Sequence, residues 1–173
     1  MINISKIVIR IANIQDAISM SIIHANSWKK AYKGLLSDEY LNGIKDTRWI
    51  GMITKGLKDG TMNAWVATIE DKIIACTCVG NSRYQGYEGQ LELISIYVLP
   101  EYWNSGIGSL ILSGVMEYAL SNNYLEVGLW VLDGNSQAMS FYEKNGFIYN
   151  GDTISCIIGG KLITERRYIK KMI

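Results

Sequence analysis

Histidine, proline and phenylalanine are nearly missing from this 173-residue chain, which holds one, one and two of them respectively. The lone histidine, His24, has no companion cluster of ligands, so the sequence offers no zinc set and no metal is expected. Cysteine is scarce too. Cys76, Cys78 and Cys156 make an odd count, which does not build a secreted disulfide framework. Cys76 and Cys78 stand two apart in an apolar run, so they share one face of a strand and read as small buried thiols. Neither sign of charge is in excess: 17 basic residues against 16 acidic ones leave +1. That balance gives no electrostatic footprint for duplex nucleic acid or an anionic membrane. No stretch approaches the ~18 apolar residues of a membrane-crossing helix. The start of the chain lacks a basic opening, a long apolar segment and a small-residue cleavage site, so no leader is expected. These absences point to a cytoplasmic chain without a nucleic-acid or membrane partner. Pro100 is the only proline and there is no repeat or low-complexity stretch. No linker is therefore visible, and residues 1–173 are expected to form one domain.

What is present suits a packed fold. Hydrophobic residues make up 49% and charged residues 19%, a globular balance with enough chain to bury a core. Residues 7–11 alternate as a strand. Asp16 opens a helix to about residue 32, with Ile18, Ile22, Ile23 and Trp28 at helical spacing, and Gly34 breaks it. Ser37 caps a short helix, and another covers 47–57. The pattern then changes to strands over 63–69 and 72–79, joined by a tight turn at Glu70-Asp71. A glycine-containing loop at 80–89 leads to a long apolar strand at 90–98, which stops at Pro100. A helix at 106–120 and a strand at 126–131 follow. Next comes a helix at 136–144, stopped by Asn145-Gly146, and a strand at 147–150. Gly159-Gly160 turns a hairpin into a last strand near 162–169. This order predicts a mixed α/β sheet with helices packed on it.

The most informative stretch is Ile96-Tyr97-Val98-Leu99-Pro100-Glu101-Tyr102-Trp103-Asn104-Ser105-Gly106-Ile107-Gly108-Ser109. A strand ends, a glycine loop follows and a helix begins. Such a junction points free backbone N–H groups at one spot, where the helix dipole favours negative charge. A phosphate or pyrophosphate fits there, and Gly106 and Gly108 let the backbone approach it. A P-loop would need a Gly-Lys pair, which is missing, and a dinucleotide fingerprint would need a third glycine where Ile111 stands.

Downstream runs Leu129-Trp130-Val131-Leu132-Asp133-Gly134-Asn135-Ser136-Gln137-Ala138-Met139-Ser140-Phe141-Tyr142-Glu143-Lys144-Asn145-Gly146-Phe147. With the upstream segment, this closely resembles the GNAT superfamily of N-acetyltransferases. That family's pattern is Val-x-Pro, then Gln/Arg-x-x-Gly-x-Gly/Ala, later Asn-x-x-Ala-x-x-Phe-Tyr and Gly-Phe. Arg10 with Asp16, Ser27-Trp28, Ala31-Tyr32 and Gly34-Leu35 also resemble openings common in it. One departure stands in the first motif, where Trp103 and Asn104 replace Gln/Arg and the glycine that often follows.

The resemblance implies a GNAT-like α/β (α+β) fold, with a mixed central sheet of about seven strands, splayed in the middle and flanked by helices. It implies acetyl-CoA as co-substrate and the amine of a small-molecule acceptor, with a protein or peptide amine as the alternative. The Trp103-Asn104 departure keeps open a different class, an acyl-CoA-binding module without catalysis. Homodimers are common in the family.

By the same resemblance, Asn104, Ser105, Gly106, Ile107, Gly108 and Ser109 wrap the CoA pyrophosphate. The backbone of Ile96, Tyr97 and Val98 pairs with the pantetheine arm, and an amide there polarises the thioester carbonyl. Asn135 contacts the pantetheine, although it also reads as the cap of the helix starting at Ser136. Tyr142 matches the tyrosine that protonates the departing thiolate, and otherwise it is a packed helix tyrosine. Glu92 lies where many relatives carry a strand carboxylate. It reads equally as general base, as partner of a cationic substrate, or as a solvent-facing residue. Trp28 and Tyr32 fall on the helix that walls the acceptor in relatives, while His24 on that helix reads as a surface residue. Ribosomal-protein N-terminal acetyltransferases carry a glutamate where this chain has Trp130, which argues against that subgroup.

Overall fold

The computed structural model describes residues 6–172; residues 1–5, on which part of the leader reading rests, and residue 173 lie outside them. The seven strands are β1 (Val8–Ile11), β2 (Asn63–Ile69), β3 (Lys72–Asn81), β4 (Leu91–Val98), β5 (Glu126–Leu132), β6 (Ile148–Ile158) and β7 (Lys161–Lys171). They form one sheet in the order β1-β2-β3-β4-β5-β7-β6. The α-helices are α1 (Ala17–Ala31), α2 (Asp38–Asn42), α3 (Ile50–Lys58), α4 (Ile107–Ser121) and α5 (Ser136–Lys144). This is the mixed, helix-flanked sheet expected from the sequence.

Local chemistry sets the turns. Glu70 and Asp71 both take positive φ, 47° and 66°, the two-residue hairpin geometry that matches strand twist. Gly159 and Gly160 do the same between β6 and β7, at 58° and 77°. Before α1, the Asp16 carboxylate accepts from the Asn13 backbone N–H at 2.8 Å and takes the Arg10 fork at 2.7 and 2.8 Å. That fork holds the Asp16 carboxyl below the usual carboxylate range. Strand β6 is much longer than the four residues expected. Asn150-Gly151-Asp152 looks like a turn, but a register shift between Tyr149 and Thr153 absorbs it as an irregularity within the strand.

The sheet is covered by packed apolar clusters. Met20 and Ile23 of α1 and Ile107 and Ile111 of α4 belong to one, with Val66, Ala67, Ile74, Cys76 and Cys78. The two cysteines are fully buried, as expected from their spacing. A second cluster joins Leu112 and Val115 of α4 to Leu91, Leu93, Val127, Leu129 and Phe147. A third packs Ala25 of α1 and Leu36 against Leu132 and Ile163. Fully burying one such aliphatic side chain contributes about 1.5–3 kcal/mol.

The centre of the sheet opens. Strands β4 and β5 run parallel, and they pair only at Leu91↔Val127 and Glu92↔Gly128. On its other side β4 pairs with β3 along its length, with Cys78 opposite Ser95 and Val79 opposite Leu93, so Ile94 is an extra, bulged residue. A bulge bends a strand and sharpens its twist, and β4 leaves β5 just before this one. The bulge also flips the side-chain alternation. Gly80 faces Glu92 and Cys78 faces Ser95, so Glu92, Ser95 and Tyr97 all share the α1 side of the sheet.

Candidate active site

The divergence of β4 from β5 opens a cleft of about 600 Å³. Leu93 to Val98 of β4 line one wall, Asn104 to Ser109 close one end, and Trp130, Asn135, Phe141 and Tyr142 form the opposite side. Beyond Glu92 the β5-facing edge of β4 has no strand partner, so its backbone groups face the cleft.

Pro100 starts a single 3-10 turn, Pro100–Tyr102, because its φ suits a first helical position and it has no N–H to lose. Asn104 and Gly106 then take left-handed φ values of 58° and 86°, which swing the chain into α4. No side chain caps the first turn of α4. Its first amides have no partner within the helix and sit at the positive end of the dipole. Gly106 is needed for its conformation. Gly108 has a different reason from the ligand approach expected of it: a Cβ there would lie 3.0 Å from Phe141 Cε2, so the glycine lets α4 and α5 meet. Trp103, the departure from the family pattern, has a definite task. Its indole N–H donates to the Val98 carbonyl at 2.7 Å and ties the turn to the end of β4. Ser27 Oγ donates to the same carbonyl at 3.1 Å, so Val98 offers the cleft less free backbone than Ile96 or Tyr97.

Asn135 is the helix cap read for it, its Oδ1 accepting from the Ala138 N–H at 3.2 Å, and it stands on the cleft. Tyr142 projects from α5, its ring packed against Phe141, Phe147 and Tyr168. Burial raises its phenol above the ordinary tyrosine value, and the neighbouring Tyr32 adds to the effect. Tyr97 and Tyr32 are raised in the same way, again mainly by burial. Three protonated phenols therefore converge at one end of the cleft. The Tyr97 hydroxyl accepts from Trp28 Nε1 at 2.8 Å, and the Tyr32 hydroxyl lies beside it. Trp28 thus supports the wall from behind, in a stack with Tyr32 and Trp49, and does not line the cleft.

Besides Trp28, two residues differ from the sequence reading. His24 is buried at 2% exposure, so its assignment as a surface residue is wrong. Its Nδ1 lies 2.8 Å from the Met20 carbonyl, which requires that nitrogen to carry the proton. Nε2 is then the acceptor for the Ser95 hydroxyl at 3.1 Å, and Ser95 opens to the cleft. Glu92 is neither solvent-facing nor a free carboxylate. It is 4% exposed, and Arg83 holds it with Nη2 at 2.6 Å, Nε at 3.2 Å and its backbone N–H at 3.1 Å. It lies just before the bulge and outside the cleft lining.

Arg83→Ala would leave that carboxylate buried without its fork. The guanidinium side chain is 54% exposed, so the full cost of breaking a buried pair is discounted to roughly 2 kcal/mol. Urea unfolding should show this loss, and adding Glu92→Gln to Arg83→Ala should restore most of it. Equal midpoints for wild type and Arg83→Ala would mean that the pair contributes nothing.

Ser95 and the side chain of Tyr97 escaped the sequence reading because the Ile94 bulge is invisible in the residue pattern. A serine inside an apolar strand was the available signal. Arg83 was missed because it comes from the loop before β4.

The family model of the acetyltransferase (GNAT) family matches residues 25–147. A spermidine N(1)-acetyltransferase of Thermoplasma acidophilum is 28% identical over 170 residues, 94% of this chain and 98% of the relative. A thialysine N-epsilon-acetyltransferase of Bos taurus is 42% identical over 64 residues, 36% of this chain and 38% of the relative. The crystal structure of the PaiA N-acetyltransferase from Thermoplasma acidophilum in complex with coenzyme A aligns with a TM-score of 0.76 at 24% identity. It covers 95% of this chain and 98% of that one, which shows a shared fold. The match over residues 25–147 takes in the α4 turn, Asn135 and Tyr142 together, and the chain belongs to the acetyltransferase (GNAT) family.

Proposed function

We propose that the protein transfers the acetyl group of acetyl-CoA directly to the primary amine of a small-molecule acceptor. One observation carries this reading. The uncapped first turn of α4, the unpaired edge of β4 and the half-buried Tyr142 all open into one cleft. The turn suits a diphosphate, the strand edge an extended amide-bearing arm, and the phenol a leaving thiolate.

In this reading the main-chain N–H groups of Asn104 to Ser109 hold the pyrophosphate. The free edge at Ile96 and Tyr97 orders the pantetheine and offers an N–H to the thioester carbonyl. Asn135 assists from the start of α5. The acceptor nitrogen attacks as the free amine, a C–N bond forms and the C–S bond breaks. Tyr142 gives its proton to the departing sulfur, and the proton lost by the amine passes to water and restores the phenol. Glu92, held by Arg83, sets the charge beside the cleft. The long relative is named for spermidine, so polyamines are the first acceptors to assay.

Saturating CoA, at about a hundredfold over its dissociation constant, should stabilise the protein by about 2.7 kcal/mol and raise Tm by about 5–10 °C. No shift would remove the cofactor assignment. Thiol release from acetyl-CoA across an amine panel tests transfer itself. A clear shift with no release from any amine would move the protein to the non-catalytic acyl-CoA-binding class.

A further inference from the structure

Ser95 interrupts the apolar run of β4, and the proton of its hydroxyl is already committed. The hydrogen bonds behind it have a fixed direction. They begin at the Met20 carbonyl, which can only accept. Nδ1 of His24, 2.8 Å away, must therefore carry a hydrogen. Burial lowers the His24 pKa to about 4, so the ring is neutral and Nε2 carries none. Nε2 can then only accept, and its partner at 3.1 Å is the Ser95 hydroxyl. Cys78 stands opposite Ser95 on β3, but a thiol is a weaker acceptor than an imidazole nitrogen and does not draw that proton away.

A hydroxyl has one hydrogen and two lone pairs. Ser95 is half-buried and lines the cleft, and with its hydrogen given to His24 it offers the cleft lone pairs alone. The Met20 carbonyl thus sets the polarity of the cleft wall through two hydrogen bonds. Thr77 Oγ1 donates to the Ser95 backbone carbonyl at 2.9 Å and fixes the strand beneath the hydroxyl. Ser95 and Tyr97 face the α1 side, where Ser27 and Tyr32 also line the cleft, and Ile96 between them faces the other way. An acceptor entering along α1 meets Ser95 just before the free backbone edge at Ile96 and Tyr97. A neutral primary amine carries two N–H hydrogens and one lone pair. Giving one hydrogen to Ser95 Oγ leaves the lone pair free to attack. His24 does not take the amine proton itself: a site that binds a proton only below about pH 4 cannot hold one against an amine near ~10.

We propose that Ser95 aims the attacking nitrogen by accepting one of its N–H hydrogens, with His24 as the positioning residue that keeps the serine proton turned away from the cleft. The assignment rests on the acetyl-transfer reading above. It goes beyond that reading in naming the side chain that touches the nucleophile and the hydrogen-bond polarity that the nucleophile must match.

His24 is the only histidine, so 15N NMR of the histidine-labelled protein reads its tautomer directly. At about pH 7.5 the ring should be neutral with its hydrogen on Nδ1. A hydrogen on Nε2 would turn the Ser95 proton toward the cleft and overturn the assignment. Kinetics with spermidine as the probe amine test the contact itself. Ser95→Ala should lower kcat/KM for spermidine on the order of tenfold, mostly in kcat, while the KM for acetyl-CoA changes less than about twofold. Ser95→Thr keeps a hydroxyl and should stay within about threefold of wild type. A merely structural role would move the KM for acetyl-CoA along with the amine kinetics, and that result overturns the assignment. Calorimetric binding of spermidine to the CoA-saturated protein reads the contact without turnover. Binding that weakens in Ser95→Ala, without acetylation of any amine, keeps the Ser95 contact and removes acetyl transfer. Acetylation of spermidine unchanged by Ser95→Ala keeps transfer and removes Ser95. A wild type that neither binds nor acetylates spermidine removes both.

Discussion

Tyr142→Phe is expected to lower kcat on the order of a hundredfold while CoA affinity stays within about twofold, since a general acid contributes at least that much. The substitution deletes one hydroxyl and keeps the ring. Packing against Phe141, Phe147 and Tyr168 is then retained, and α5 stays in place. In the proposed reading the cofactor is held mostly by main-chain groups of β4 and of the turn before α4, which this change does not touch. Burial raises the Tyr142 phenol above its ordinary value of 10.0, so it remains protonated throughout the neutral and mildly alkaline range. Turnover should therefore show no alkaline loss from this group below about pH 10. A Tyr142→Phe enzyme that turned over at the wild-type rate would take the hydroxyl out of the mechanism. A parallel loss of CoA binding would show a role in holding the cofactor instead.

Lowering the pH from 7.5 to 4 is expected to destabilise the protein by on the order of 3 kcal/mol through His24 alone. Burial depresses the folded-state pKa of His24 from 6.5 to about 4. Its ring faces Met20 O, Ser95 Oγ, the Cys76 thiol and the rings of Tyr97 and Trp49, with no carboxylate among these contacts. Above pH 6.5 the imidazole is neutral in both the folded and the unfolded chain, so its contribution is fully present there. As pH falls below 6.5, the unfolded chain takes up the proton first and stability drains away. The loss levels off near pH 4, where the folded ring protonates too. For a chain of this size that corresponds to a fall in Tm of roughly 6–12 °C. His24→Gln should be less stable at pH 7.5, yet its Tm should be much flatter across the same window. If the wild-type Tm held steady between pH 6.5 and 4.5, the imidazole would not be buried as described. Its bond to Ser95 links this titration to the cleft wall, so acetyl transfer should be lost along with stability at the acid end.

Much of the molecule is legible in the residue order. The strand periodicities, the Glu70-Asp71 and Gly159-Gly160 turns, the Ser37 cap and the Gly146 stop are local features. Each depends on a few neighbouring residues and on steric rules that hold in any fold. The α4 end of the cleft is legible for the same reason. Asn104 to Ser109 lie in one continuous segment, and their main-chain donors are aimed by the strand–loop–helix geometry of that segment alone. Asn135 and Tyr142 fall seven residues apart around one short helix.

The α1 side of the cleft is different. His24 and Ser95 are 71 positions apart, and their contact exists only because α1 lies across β4. The sequence left Glu92 open between a general base, a partner of a cationic substrate and a solvent-facing residue, and in three dimensions a loop arginine at position 83 occupies it. The Ile94 bulge sets which side chains face α1, and nothing in the apolar run around it marks the extra residue. Sequence by itself determined the family, the order of elements and the glycine turn before α4, because those are written in short-range spacing. Tertiary structure decided the charge, the protonation states and the lining of the α1 side of the cleft, because each depends on what burial and long-range pairing bring within a few ångströms.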